Sequence, residues 1–179
     1  MAQNRPNREQ DENTQVIQIR RVSKKTSGGN NVTFTALVVT GDKQGMVGVG
    51  LGKAPTVVAA IKKAGRLARR DMVKVPMVSG TIPFAVTQKF KAANVLLKPA
   101  PAGTGIIAGG AVRVVVEAAG INDIVSKIIG TRNRASNVYA TLEALKNLKP
   151  RLSNNVGVPR VDPEQGRRAQ PANKKRKNQ

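Results

Sequence analysis

The sequence predicts an α+β protein of two small domains: a β-β-β-α unit, then a second unit with a sheet and two helices. Three observations carry this. Apolar residues alternate with period two from about position 16 to 54, broken by glycine- and asparagine-rich turns. Helical spacing follows at once from Val57. Glycine and proline then interrupt both periods between Val75 and Pro83, after which a second set of strand and helix patterns begins. The 179 residues suffice for one domain or two small ones.

Residues 1–14 are rich in Asn, Gln, Arg and Glu without apolar periodicity, and are expected to form a disordered arm. With no apolar signal core there, an intracellular protein is expected. In the first strand Ile17 and Ile19 alternate with Gln18 and Arg20; in the second, Val32, Phe34, Ala36 and Val38 share one face of the pleat. The turn between them holds Ser27, Gly28, Gly29, Asn30 and Asn31, with Lys24 and Lys25 on its rising side. It reads as a hairpin finger with charge at its tip. After the turn Gly41-Asp42-Lys43-Gln44-Gly45, the third strand alternates Gly48, Gly50 and Gly52 with Val47, Val49 and Leu51. One face is apolar and the other bare, so something must approach the bare face closely. Two occupants fit: another protein segment, or a phosphate backbone with Lys53 beside it.

Pro55 sits where a first helical turn accepts proline, and Val57, Ile61, Ala64 and Ala68 recur at helical spacing. Lys62, Arg66 and Arg69 share another face, flanked by Lys63 and Arg70, with only Asp71 nearby. These cations repel one another, so part of the face is expected to meet phosphates; a merely solvated face is the alternative. This first domain spans residues 15–78 and the second 79–149. The second opens on the turn Gly80-Thr81-Ile82-Pro83. Strand candidates follow at Ala85–Phe90 and Val95–Lys98, joined by a lysine-rich turn over Lys89–Asn94. Next, the loop Gly103 to Gly110 runs into a helix over Ala111–Ala119, with Arg113 one turn in. A glycine-rich loop opening a helix presents unpaired N–H groups at the positive end of a dipole, which suits phosphate. The apolar run Ile124–Ile129 fits either strand or helix. A last helix is expected over Ala135–Asn147, with Val138, Leu142 and Leu145 inward, and residues 150–179 thin out into a basic tail. No internal repeat is evident.

Composition narrows the function. Thirty-one Lys and Arg against ten Asp and Glu, net +21, imply a polyanionic partner, most simply nucleic acid. No apolar run approaches the ~18 residues of a spanning helix, and no amphipathic stretch carries interfacial aromatics, so no membrane partner is expected. Without Cys or His, the chain lacks thiolate ligands, the commonest metal ligand and the commonest general base. Its only rings are Phe34, Phe84, Phe90 and Tyr139, which favours recognition by shape and phosphate over base stacking. Two stretches imitate nucleotide sites. Gly52-Lys53-Ala54 ends like a P-loop, but Val47 stands where its first glycine belongs and Ala54 offers magnesium no hydroxyl. Gly103-x-Gly105-x-x-Ala108 fits a dinucleotide fingerprint, but Pro99 and Pro101 interrupt the strand that should feed it. No acids pair at catalytic spacing, so neither enzyme activity nor a cofactor is expected.

Four segments together resemble the bacterial small-subunit ribosomal protein number five family: the finger, the run Gly41 to Ala54, the Gly80–Pro83 turn, and Leu97 to Gly110. The resemblance covers about Val16 to Leu148. It implies an N-terminal domain related to double-stranded-RNA-binding folds, lacking that fold's first helix, and a C-terminal α+β domain. It implies a structural role on the cytoplasmic small subunit, bound to its rRNA beside ribosomal proteins number four and number eight, near the region where mRNA enters, with an influence on decoding accuracy. Self-association is not expected.

The expected rRNA contacts begin with Arg20, Arg21, Ser23, Lys24, Lys25, Ser27, Gly28 and Gly29 around the finger, which resembles the family loop near the spectinomycin site. They continue with Gly50, Gly52 and Lys53 in the third strand and with Lys62, Lys63, Arg66, Arg69 and Arg70 on the helix. Lys98, Thr104, Gly105, Arg132 and Asn133 complete the set. Gly103, Gly105 and Arg113 match the family region implicated in the boundary with protein number four and in accuracy. Ser27 stands where many relatives carry Lys or Arg, and Arg134 where Pro is common. A free-standing duplex-RNA binder or RNA chaperone is the alternative function.

Overall fold

The computed structural model describes residues 13–148, so the expected basic tail and nearly all of the expected arm lie outside the described residues. The first sheet is antiparallel, in the order β1 (Thr14–Thr26), β2 (Gly29–Gly41), β3 (Met46–Ala54), β4 (Val73–Lys74). Helix α1 (Val57–Arg70) connects β3 to β4. The second sheet has the order β5 (Val86–Phe90), β6 (Ala93–Pro99), β8 (Ile124–Ile129), β7 (Ile106–Ile107), with only β7 and β8 parallel. Helices α2 (Gly110–Ala119) and α3 (Arg134–Lys146) belong to this second unit. Strand β1 begins at Thr14, inside the span read as an arm.

Helix α1 lies on the bare face of β3. It is capped by Thr56, whose Oγ1 accepts from the Ala59 N–H at 3.4 Å, so Pro55 precedes the cap and stands outside the helix rather than in its first turn. Its buried stripe is Ala60, Ala64, Gly65 and Ala68, all small, which lets the helix backbone come down onto the sheet. A Cβ at Gly48, Gly50 or Gly52 would overlap the carbonyl oxygens of Ala68, Ala64 and Ala60 respectively. The close neighbour of the bare face is therefore a segment of this same chain. A phosphate backbone against Gly50 and Gly52 is excluded sterically, because α1 occupies that space.

The opposite face of the sheet carries Leu37, Val39, Val47 and Val49 into a core shared with Val112, Val115 and Val116 of α2 and Val138, Ala144 and Leu145 of α3. Under α1 lies only a small separate cluster of Ala36, Val38, Ala60 and Ala64. One apolar interior thus spans both halves of the chain.

Backbone hydrogen bonds lock the same junction. Asp42 shapes the β2–β3 turn: its Oδ1 accepts from the Gln44 and Met46 N–H groups, each at 2.8 Å. That turn aims the N–H groups of Lys43 and Gly45 at the carbonyls of Ala118 and Ala119, at 3.1 and 2.9 Å. These are carbonyls at the end of α2, which have no partner within the helix. Gly120, at φ +85°, lets the chain leave α2 against Lys43, whose carbonyl a Cβ there would strike. The connecting stretch is tied down as well. The Gly80 carbonyl accepts from Asn122 and Asp123, and the Thr81 hydroxyl donates to the Asp123 carbonyl at 2.5 Å.

Two further expectations change. The Lys89–Asn94 turn shrinks to Lys91-Ala92, because Lys89 pairs with Asn94 and Phe90 with Ala93 in the β5–β6 ladder. The undecided run Ile124–Ile129 is a strand, held between β6 and β7.

Candidate nucleic-acid interface

The β1–β2 finger is a two-residue hairpin. Pairing continues out to Thr26 opposite Gly29, leaving Ser27 and Gly28 as the loop, and the Thr26 hydroxyl donates to the Gly29 carbonyl at 2.8 Å. The last β3 pairing is Phe34 with Ala54, so the ribbon beyond it, from Val22 and Thr33 to the tip, has no third strand. That ribbon projects ~15 Å at ~3.3 Å per residue. Every residue from Ser23 to Asn31 is exposed.

Register sorts the cations of the first domain onto two sides. Arg20 pairs with Thr35, which pairs with Lys53, and Lys24 lies two pleats further along the same face. Arg21 and Lys25 point to the opposite face, the one covered by α1 lower down. Lys62, Lys63, Arg66 and Arg70 are exposed on α1 and Arg69 is half-buried. Arg70 pairs with Asp71 at 3.1 Å, and this hydrogen-bonded guanidinium holds the Asp71 carboxyl below the usual carboxylate range. Of the helix cations, Arg70 thus already has a counter-charge.

In the second domain the glycine loop and the helix start separate. The chain turns at Pro101–Thr104, where the Thr104 hydroxyl donates to the Pro101 carbonyl at 2.8 Å. It then forms β7 before α2 begins at Gly110. Thr104 and Gly105 therefore do not sit at the helix N-terminus, contrary to the loop-into-helix reading. The Gly105 N–H is also taken, donating at 2.8 Å to the buried Asp123 carboxylate, so it is not free for phosphate. Gly103 is exposed with open space around it. Arg113 folds back, its Nη2 donating to the Ile106 carbonyl at 3.1 Å, and its side chain remains exposed. Lys98 is exposed near the end of β6. Asn133 caps α3, its Oδ1 accepting from the Ala135 N–H at 3.2 Å, while Arg132 beside it is exposed.

The structure joins Arg132 to Arg20 across the two domains, along one groove, together with Arg134. Sequence reading treated Arg134 only as a departure from a family turn. In the fold its Nη1 donates to the Ile17 carbonyl at 3.2 Å, fastening the 130–134 loop to β1. A long-range contact of this kind leaves no local pattern. Among the described residues there is no cluster of acids that could hold a metal ion, and no helix long and apolar enough to cross a membrane.

Family models described as ribosomal protein S5, N-terminal domain, and ribosomal protein S5, C-terminal domain, match residues 13–76 and 88–154. Small ribosomal subunit protein uS5 of Thermus thermophilus is 49% identical over 141 residues, covering 79% of this chain and 87% of that protein. The chain belongs to the ribosomal protein S5 family. The uS5 proteins of Syntrophobacter fumaroxidans and Thermotoga maritima are 53% and 51% identical over 134 and 133 residues. These alignments cover 75% and 74% of this chain, and 81% and 75% of the relatives. Membership makes this a structural, non-enzymatic ribosomal protein and sets aside the free-standing RNA binder. The two-domain α+β architecture matches the two family domains.

Proposed function

We propose that the protein is an rRNA brace of the cytoplasmic small subunit, holding separate rRNA segments at a fixed angle. The observation that carries this is the disposition of charge around a rigid junction. Lys25 and the α1 cations stand on one side of the first sheet, and Arg20, Lys24 and Lys53 on the other. The Lys43 and Gly45 bonds to α2 hold the second domain against that sheet. Phosphate neutralisation releases counterions and drives affinity; the fixed spacing of the charged surfaces selects the RNA shape.

On this reading proteins number four and number eight are the protein neighbours, and the region where mRNA enters lies close by. Arg113, exposed beside the Gly103–Gly105 loop, faces protein number four. Arg113→Leu is expected to alter misreading while subunits assemble normally, and unchanged misreading would count against that role. The wider proposal is tested by sedimenting a tagged copy through a salt-washed sucrose gradient. Stable travel with the small subunit at one copy per particle is expected, and migration at the top of the gradient would refute it.

A further inference from the structure

Asp123, immediately before β8, is the only charged side chain buried among the described residues, at 8% exposure. A carboxylate withdrawn from water needs a donor, and this one accepts from the Gly105 N–H at 2.8 Å, the length of a charge-assisted hydrogen bond. The Gly105 carbonyl in turn accepts from the Ile124 N–H at 3.2 Å. Two consecutive residues thus take both backbone polar groups of Gly105.

The loop has little else to hold it. Gly103 and Gly105 sit at φ +88° and +75°, and nothing lies within 4 Å of where a Cβ of either would stand. The Thr104 N–H and hydroxyl both donate to the Pro101 carbonyl, inside the loop itself. Two glycines without packing can visit several backbone wells, and settling into one on meeting a neighbour costs binding free energy.

Asp123 is itself anchored by the segment that joins the two domains. Val78 and Thr81 exchange two backbone bonds, at 2.9 and 3.0 Å, and the residues between them, Ser79 and Gly80, both have positive φ, +50° and +80°, as in a type I′ turn. From this hairpin the Gly80 carbonyl accepts from the Asp123 N–H at 3.2 Å. The Thr81 hydroxyl donates to the Asp123 carbonyl and accepts from the Ala100 N–H, immediately before Pro101. At the other end of the linker the Val75 N–H donates to the Gly45 carbonyl of the first domain at 2.7 Å. We propose that Asp123 is a positioning residue, whose carboxylate sets the Gly103–Gly105 loop, and the surface beside Arg113, at a fixed place relative to the linker. The loop then meets its protein neighbour already ordered. What the position requires is an acceptor oxygen at this reach, more than a negative charge. This rests on the reading of the loop as facing a neighbouring protein and adds the residue that holds it there.

Full-length wild type, Asp123→Ala, Asp123→Asn and Asp123→Glu are compared as free proteins by amide exchange and in reconstituted small subunits by misreading. Asp123→Ala removes the acceptor and should speed exchange at Gly105 several-fold. Asparagine keeps an acceptor oxygen at the same reach and should restore most of the protection; glutamate, one methylene longer, should not. Misreading is expected to follow the same order, altered in Asp123→Ala and Asp123→Glu and close to wild type in Asp123→Asn. Gly50→Ala, which strains the first domain without touching the loop, should lower the melting temperature and leave misreading alone. Misreading that follows melting temperature across all these variants would mean a merely structural role and overturns the proposal, as does wild-type exchange at Gly105 in Asp123→Ala. Should Asp123→Ala fail to fold, Asp123→Glu against Asp123→Asn carries the same comparison. Arg113→Leu separates the two readings. If it alters misreading while the Asp123 variants, with faster exchange, do not, the positioning role alone falls; if none of them alters misreading, the protein-facing reading of the loop falls too.

Discussion

Replacing Gly50 by alanine separates packing from phosphate binding on the bare face of β3. A Cβ there would lie 2.7 Å from the Ala68 backbone nitrogen and overlap the Ala64 carbonyl oxygen. Ordinary van der Waals separation begins near ~3.5 Å, so α1 must retreat by at least ~0.8 Å to clear the nitrogen and further to clear the oxygen, a gap that forfeits a quarter to a half or more of each dispersion well along the seam. The atoms struck belong to helix backbone, which cannot swing aside as a side-chain tip does. Overpacking of this kind costs ~1–3 kcal/mol, and the rigidity of the obstacle argues for the upper end. Alanine recovers ~0.5–1 kcal/mol in strand propensity, leaving a net loss of ~2–2.5 kcal/mol. For a chain of this size that is a fall in melting temperature of roughly 4–10 °C. Circular dichroism melts of the free protein read this directly. Gly28→Ala serves as the control, because nothing lies within 4 Å of its Cβ position and its melting point should hold. A Gly50→Ala protein that melts with wild type but binds rRNA weakly would refute the packing argument and restore the phosphate one.

Asp42→Ala removes the acceptor of two 2.8 Å hydrogen bonds in the β2–β3 turn, and should cost ~1–3 kcal/mol while speeding amide exchange at Lys43 and Gly45. Exchange at wild-type rates would show that the junction does not depend on this turn. Lys24→Glu combined with Lys25→Glu should leave the melting temperature unchanged, since both residues are exposed, and flatten the salt dependence of rRNA binding by ~0.7–0.9 for each phosphate no longer neutralised. An unaltered slope, with unaltered protection at the finger, would remove these lysines from the interface. With no His or Cys, rRNA affinity should stay level between pH 6 and 8 at constant salt, and a marked slope in filter binding would contradict phosphate neutralisation by Lys and Arg alone.

Elements whose identity rests on local periodicity were legible in the sequence. The alternation around Val32–Val38 and the spacing of Val57, Ile61, Ala64 and Ala68 each placed an element, the strand to within three residues at each end and the helix to within two. Ile124–Ile129 was not legible, because a strand held between two others is apolar without a period, and only its ladder to Asn94–Pro99 identifies it. A hairpin was read correctly around Gly28, where the signal is local, but its turn is only Ser27-Gly28, because Gly29, Asn30 and Asn31 pair with Thr26, Lys25 and Lys24 in the ladder. At Lys89–Asn94 the lysines suggested a loop, yet cross-strand pairing kept all but Lys91 and Ala92 in the ladder. The bare glycine face announced a close neighbour without naming it, since the small-residue stripe that fills it lies downstream of the last strand glycine, across a turn. The groove was the least visible feature. Arg132 and Arg134 meet Arg20 and Ile17 across more than a hundred residues of chain, and nothing near each residue in the sequence encodes that meeting.

The shared interior also sets a schedule for synthesis. Val47 and Val49 need Val112 and Val116 to cover them, and Leu145 arrives later still. At ~5–20 residues per second, a ribosome making this chain takes ~5–20 s to deliver the cover after the face it will cover has been translated. Until then the first sheet has α1 on one side and an uncovered apolar surface on the other. The nascent first half therefore carries an uncovered apolar face for that interval, and a slow codon between residues 54 and 110 would lengthen its exposure without changing one atom of the finished protein.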